Sequence, residues 1–149
     1  MRAVIQRVSW AKVEVDGTII GQVGPGLLVY LGIGKGDTEQ DAAFMADKLV
    51  NLRVFADEAD KMNRSVIDIH GGILVISNFT LYGDCRKGRR PGFDAAGEPT
   101  LAETLYEKVA SLIAASDVPV ARGSFGAHMQ VSSNNDGPVT FLLDSSRLF

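Results

Sequence analysis

Leu27 to Ile33 is a nearly continuous apolar run closed at each end by a glycine, Gly26 and Gly34. A strand with one face in water alternates apolar with polar residues, so a run without a polar face fits a strand covered on both sides. That strand must be central, and the rest of the chain has to supply what covers it. Before it, Val13 and Val15 alternate with Lys12 and Glu14 and lead into Asp16-Gly17, a pair suited to the positive φ angles of a tight hairpin. After it, Asp37 stands three residues ahead of Gln40 like a capping box, and Ala42, Met45, Ala46, Leu49 and Leu52 follow at helical spacing. The helix is predicted to end near Asn51, with Arg53-Val54-Phe55 opening a strand.

A loop containing Asp57, Asp60, Lys61 and Asn63 leads to the apolar run Ile73–Ile76, which passes straight into Ser77-Asn78-Phe79-Thr80. Gly83 to Pro99, rich in glycine, proline and charge, reads as a long exposed loop, a kind of segment that often carries function. A second helix is predicted from a Thr100/Glu103 capping box, with Ala102, Leu105, Tyr106, Val109, Leu112 and Ile113 on one face, and it ends before Val118-Pro119. Phe125, Ala127, Met129 and Val131 alternate with Gly126, His128, Gln130 and Ser132 as in a strand, and Val139–Leu143 gives another. Asn134-Asn135-Asp136-Gly137-Pro138 then reads as their connection. The order predicts a single α+β domain over residues 1–149, with two helices packed on a curved, barrel-like mixed sheet.

At 149 residues and 46% hydrophobic, the chain has material for one compact core. A net charge of -3 and pI near 5.3 argue against coating nucleic acid by bulk charge, so RNA contact has to come from a local patch. Arg86-Lys87-Gly88-Arg89-Arg90 is such a patch, and equally reads as a solvated loop. The lone Cys85 has no disulfide partner within the chain, and no metal-ligand spacing or nucleotide-binding glycine loop is present, so neither metal nor cofactor is expected. No segment resembles a secretory signal or reaches membrane-spanning length, which predicts a soluble cytoplasmic protein.

Ordinary catalytic equipment is scarce. His70 and His128 have no Ser, Cys or carboxylate at a motif spacing and read as surface residues. Cys85 beside Arg86 and Lys87 has the charge environment of a reactive thiol but no other sign of one. Two polar segments at the margins of apolar strands stand out, Ser77-Asn78-Phe79-Thr80-Leu81 and Asn135-Asp136-Gly137-Pro138-Val139-Thr140. Each is explicable as strand-end hydroxyl pairing or as turn chemistry.

Together they resemble the two signature motifs of the D-aminoacyl-tRNA deacylases, Ser-Gln-x-Thr and Asn-x-Gly-Pro-x-Thr. Gln6-Arg7-Val8, Leu52-Arg53-Val54-Phe55, Lys61-Met62-Asn63 and Phe125-Gly126-Ala127 with Met129 and Val131 are also similar to that family, and the resemblance spans essentially the whole chain. One position departs: Asn78 stands where the family usually has glutamine, retaining the amide and losing a methylene. The resemblance implies a homodimer that hydrolyses the ester between a D-amino acid and the 3′ end of tRNA. It implies that Gly137-Pro138 is cis and enters the partner's site, that Arg7 and Met129 support that loop, and that Ser77, Asn78, Phe79 and Thr80 form the reaction centre. A backbone N–H at Phe79 or Thr80 is the expected oxyanion donor. Thr80 lacks an adjacent base, which favours assistance by the terminal ribose 2′-OH over a threonine nucleophile. Glycyl-tRNA, with no side chain to exclude, is a further expected substrate. From the residues alone, two other readings compete: a non-catalytic RNA-binding dimer, and a hydrolase of another small ester using Thr80.

Overall fold

The computed structural model describes residues 1–149. The long first strand β1 (Arg2–Val15) turns at Asp16-Gly17, φ 49° and 78°, into β2 (Thr18–Val23), as the hairpin signal predicts. β3 (Gly26–Gly32) follows, then helix α1 (Glu39–Asn51), a small ribbon of β4 (Phe55–Ala56) with β5 (Met62–Arg64), and β6 (Gly72–Ser77). A 3-10 turn (Phe79–Tyr82), helix α2 (Pro99–Ala114), β7 (Val120–Arg122) and β8 (Gln130–Asp144) complete the chain.

The main sheet runs β2-β1-β3-β6-β7, with β8 added to β1. β1 pairs antiparallel with β2, β3 and β8, whereas β3–β6 and β6–β7 are parallel, so the sheet is mixed. Its two ends come together: a Cβ at Gly21 of β2 would lie 2.7 Å from the carbonyl oxygen of Arg122 in β7. Only a residue without a side chain permits that approach, and it curls the sheet into a nearly closed barrel. The parity of β3 and β6 then explains their lack of a polar face. Leu27, Val29, Leu31, Ile73 and Val75 face the two helices, while Leu28, Leu74 and Ile76 fill the barrel with Val8, Ala11 and Val13. Tyr106 of α2 is almost wholly buried between these layers, its hydroxyl donating to the Val75 carbonyl at 2.8 Å. That burial pushes its pKa up to about 12.

Several boundaries differ from the sequence expectation. Asp37 does not cap α1, because its carboxylate is taken by the Gly34 N–H (2.6 Å) and the Met1 ammonium (2.6 Å). Thr38 and Asp41 form the box instead, Asp41 accepting from the Thr38 N–H at 2.8 Å and the hydroxyl at 2.9 Å. α2 begins at Pro99 with Glu98 as N-cap, not at a Thr100/Glu103 box, since proline is already set for the first helical position. The strand expected at Arg53–Phe55 shrinks to Phe55–Ala56. Phe125–Met129 is a loop with a turn at Gly126, φ 73°, although its apolar side chains still face the interior.

The largest difference lies at Asn134–Pro138, which does not connect two strands but belongs to the single 15-residue β8. Its register against β1 shifts between Gln6 and Val8 and again between Val8 and Trp10. Asn135 closes the irregularity: its amide donates to the carbonyls of Arg7 (3.3 Å) and Val139 (3.0 Å) and accepts from the Val139 N–H (3.2 Å). A turn-forming sequence thus becomes a bulge whose missing ladder bonds are supplied by one side chain.

Candidate active site

β6 carries the chain to Ser77, where the strand ends because Asn78 turns away. The Asn78 N–H still donates to the Leu31 carbonyl at 2.8 Å, and its side-chain oxygen caps the 3-10 turn, accepting from the Thr80 N–H at 3.2 Å and from the Thr80 hydroxyl. Two chemical consequences follow. The Thr80 hydroxyl donates its proton to an amide oxygen, which is no base, so nothing activates it as a nucleophile. The Thr80 N–H is occupied, whereas Phe79, as first residue of the turn, has an N–H with no acceptor inside the turn. Of the two amides expected from sequence as oxyanion donors, Phe79 is the available one.

This turn forms one side of a cavity of about 670 Å³, whose other walls come from β3, the start of α2 and the loop Phe125–Met129. Ser77, Asn78, Phe79, Thr80 and Met129 all line it, so five of the residues singled out in the sequence come together. The Met129 sulfur occupies the space that a side chain at residue 123 would fill, which Gly123 leaves open. Among the other lining residues, two carry polar groups that the sequence did not assign to a site. Tyr30 is the polar-tipped member of the otherwise aliphatic β3 run, a signal that was available, and burial raises its pKa. His128 lies at the exposed side of the wall, with Gln130 3.5 Å from its ring. The long loop contributes a rim: Phe93 meets Phe79 edge-on with ring centres 4.9 Å apart.

Arg7, Gly137 and Pro138 lie elsewhere, outside the walls of this cavity. The Arg7 guanidinium donates to the carbonyls of Asp136 (3.2 Å) and Val54 (2.8 Å) and pairs with the Asp136 carboxylate, holding the β8 bulge against β1. Gly137, at φ 135°, and Pro138 are exposed, and the peptide bond between them is cis. Of the basic stretch, Arg86 is clasped by Asp84, at distances of 2.8 and 2.7 Å that hold the Asp84 carboxyl well below the usual range. Lys87, Arg89 and Arg90 are exposed and have no acidic partner.

Known proteins share both the sequence and the fold. Residues 4–144 match the family model described as D-Tyr-tRNA(Tyr) deacylase. A D-aminoacyl-tRNA deacylase of Clostridium beijerinckii is 58% identical, and one of Thermosipho africanus 54%, each over 149 residues and the full length of both chains. A solved structure described as c-Myc DNA Unwinding Element Binding Protein superposes with a TM-score of 0.90 at 40% identity, covering 97% of this chain and 98% of its own. With its whole length matched and the signature segments in place, the chain belongs to the D-Tyr-tRNA(Tyr) deacylase family.

Proposed function

We propose that this protein removes D-amino acids from tRNA by hydrolysing the ester at the 3′-terminal ribose, with the 2′-OH of that ribose assisting and the Phe79 N–H stabilising the oxyanion. The observation that carries the reading is the pairing within the turn, where Asn78 consumes both the hydroxyl proton and the amide of Thr80 and leaves the Phe79 amide unpaired. A preorganised backbone donor of this kind contributes about 3–4 kcal/mol to an acyl-transfer transition state. An aminoacyl ester is already reactive, so donor, water and a neighbouring ribose hydroxyl suffice without a protein nucleophile.

The protein works as a homodimer in which Gly137-Pro138 of one subunit enters the cavity of the other and offers its backbone to the substrate's ammonium group. An L side chain would be driven into that backbone, whereas a D side chain points outward, so chirality is set by rejection rather than by side-chain recognition. Glycyl-tRNA passes the same filter. Lys87, Arg89 and Arg90 steer the acceptor stem through its phosphates without reading sequence. Its place of action is the cytoplasm, and no helix is long and apolar enough to cross a membrane.

Hydrolysis of matched D- and L-aminoacyl-tRNA, with tRNA ending in 2′-deoxyadenosine alongside, tests this reading. D-substrate should turn over, L-substrate should not, and the deoxy substrate should be poor, while Thr80→Ala keeps activity within about tenfold, roughly the weight of one hydrogen bond. An inert Thr80→Ala protein with a normal fold, together with rapid turnover of the deoxy substrate, would overturn it. Binding of tRNA without hydrolysis of either enantiomer would identify an RNA-binding dimer instead.

A further inference from the structure

The 3-10 turn that presents the Phe79 amide is weakly held from within. The bonds that close it against its flanking residues are Leu81 N–H to the Asn78 carbonyl, long at 3.4 Å, and Gly83 N–H to the Thr80 carbonyl at 2.9 Å, and none of its four residues is buried. Short 3-10 segments have poor hydrogen-bond geometry, so a turn that must keep an amide fixed needs support from outside. Its entry is anchored by the Asn78–Leu31 bond. The exit is held by a residue far away in sequence, Arg2.

We propose that Arg2 is a positioning residue for the deacylation reaction, clamping the exit of the turn so that the Phe79 amide stays aimed into the cavity. Its guanidinium engages three groups at once. Nη1 donates to the Leu81 carbonyl at 3.2 Å, supplying an acceptor at the turn's C-terminal end with a donor. Nε meets the Asp144 carboxylate at 3.1 Å, and the group lies 4.5 Å from the centre of the Tyr82 ring.

Each partner is itself immobilised. Asp144 is only 3% exposed and its other oxygen accepts from the Ser146 N–H at 2.7 Å. The Tyr82 ring lies against Gly34, where a Cβ would come within 2.7 Å of it. Arg2 is also paired by strand register to both Gly32 and Asp144, so the ends of β1, β3 and β8 converge on the clamp. A planar fork is required, because a lysine ammonium cannot reach carboxylate and carbonyl while stacking on the ring. Displacement of a reacting group by about 1 Å costs on the order of a hundredfold in rate, so partial loosening is expected to cost less.

This inference rests on the Phe79 reading given above, and the test separates the two. Arg2→Lys and Asp144→Asn are compared with the parent in steady-state deacylation of D-aminoacyl-tRNA, and in amide NMR spectra recorded well below the unfolding temperature. For Arg2→Lys, kcat should fall about tenfold with KM changed less than about twofold. Asp144→Asn, whose amide oxygen still accepts from the guanidinium, should fall less. Shifts in the spectra should be confined to Phe79–Tyr82 and the clamp, leaving α1 and α2 unmoved. An unchanged kcat in Arg2→Lys, a loss carried by KM, or shifts spread through both helices would overturn the clamp. Independently, a non-hydrolysable 3′-D-aminoacylated adenosine analogue should move the Phe79 amide resonance of the parent. If that resonance stays still, the oxyanion assignment fails, whatever Arg2 does.

Discussion

Ser77–Thr80 and Asn134–Pro138 are both short polar segments bounded by apolar strand residues, yet the fold uses them in opposite ways. The first ends a doubly covered strand, folds back through Asn78 and becomes the wall of a cavity. The second lies within a long strand, bulges through Asn135 and stands exposed, away from any part of that cavity. One lines a cavity and the other is turned to solvent. A concave half and an exposed half on one chain are what a site shared between two subunits needs, because each copy then offers what the other lacks.

The strongest way to break this comparison is to inactivate each half separately. Phe79→Pro removes the free N–H at the first position of the turn, where proline's φ is tolerated, and should lower kcat by about 10²–10³-fold. Gly137→Ala should be comparably inactive. Its backbone at φ 135° disfavours any side chain, and a Cβ would sit 2.6 Å from Val139 Cγ2 and 3.0 Å from the Val139 nitrogen. The strain of about 1–3 kcal/mol falls on the exposed segment rather than the core. Refolding the two inactive proteins together should then restore activity, because a mixed dimer contains one site with both halves intact. With random pairing the recovery should approach about a quarter of the parent's. Mixtures as inactive as their components, in demonstrated mixed dimers, would place both halves in the same subunit's site.

Much of this architecture was legible in the sequence for identifiable reasons. The glycine-bounded run of β3, the Asp16-Gly17 hairpin and the apolar faces of both helices are local patterns with one physical solution, and the structure has them. The resemblance grouped Ser77, Asn78, Phe79 and Thr80, and all four line the cavity; Met129, which it assigned with Arg7 to the Gly-Pro loop, lines the cavity too, while Arg7 does not. What failed was local chemistry overridden by distant partners. Asp37 lost its capping role to an ammonium group 36 residues away, and Asn134–Pro138 stayed in a strand because Asn135 supplies the ladder bonds. Tyr30 was missed, and His128 was read only as the surface residue it is, because lining a cavity depends on where the barrel closes, which no spacing rule records.

A second pair of variants sharpens the contrast between the segments, since each is organised by one asparagine. Asn135→Ala removes three hydrogen bonds and leaves partly buried backbone groups of Arg7 and Val139 without partners. It should therefore lower folding stability by about 2–3 kcal/mol. Asn78→Ala removes an exposed cap, where water can replace the missing partner, and should cost about 0.5–1.5 kcal/mol. Activity should fall in the opposite sense relative to stability, because freeing the Thr80 amide loosens the turn beside the reacting group. Urea denaturation with initial rates at saturating substrate measures both. Equal stability losses for the two asparagines would remove the distinction between a bulge closed by its side chain and a turn merely trimmed by one.

The smallest effect concerns the loop that joins the cavity rim to its basic tip, and it is read from salt dependence rather than from turnover. Phe93 ties one end of this loop to Phe79, while Lys87, Arg89 and Arg90 extend into solvent. Arg86 carries the same formal charge, but the Nε–Nη2 edge of its guanidinium is held by both carboxylate oxygens of Asp84. Charges more than about 8–10 Å from a phosphate are largely screened at physiological ionic strength, so direct pairing decides the slope. Neutralising Arg89 and Arg90 together should reduce the slope of log affinity against log salt by about 0.7–0.9 for each phosphate left without its cation, with kcat unchanged. Arg86→Gln should leave the slope nearly as it is, because an arginine already neutralised by a carboxylate displaces no counterion from the RNA. Fluorescence titration of tRNA across a salt series resolves the two cases. Equal slopes for all three proteins would take the loop out of the RNA footprint, whereas an equal drop for Arg86→Gln would mean that Asp84 releases its partner when tRNA arrives.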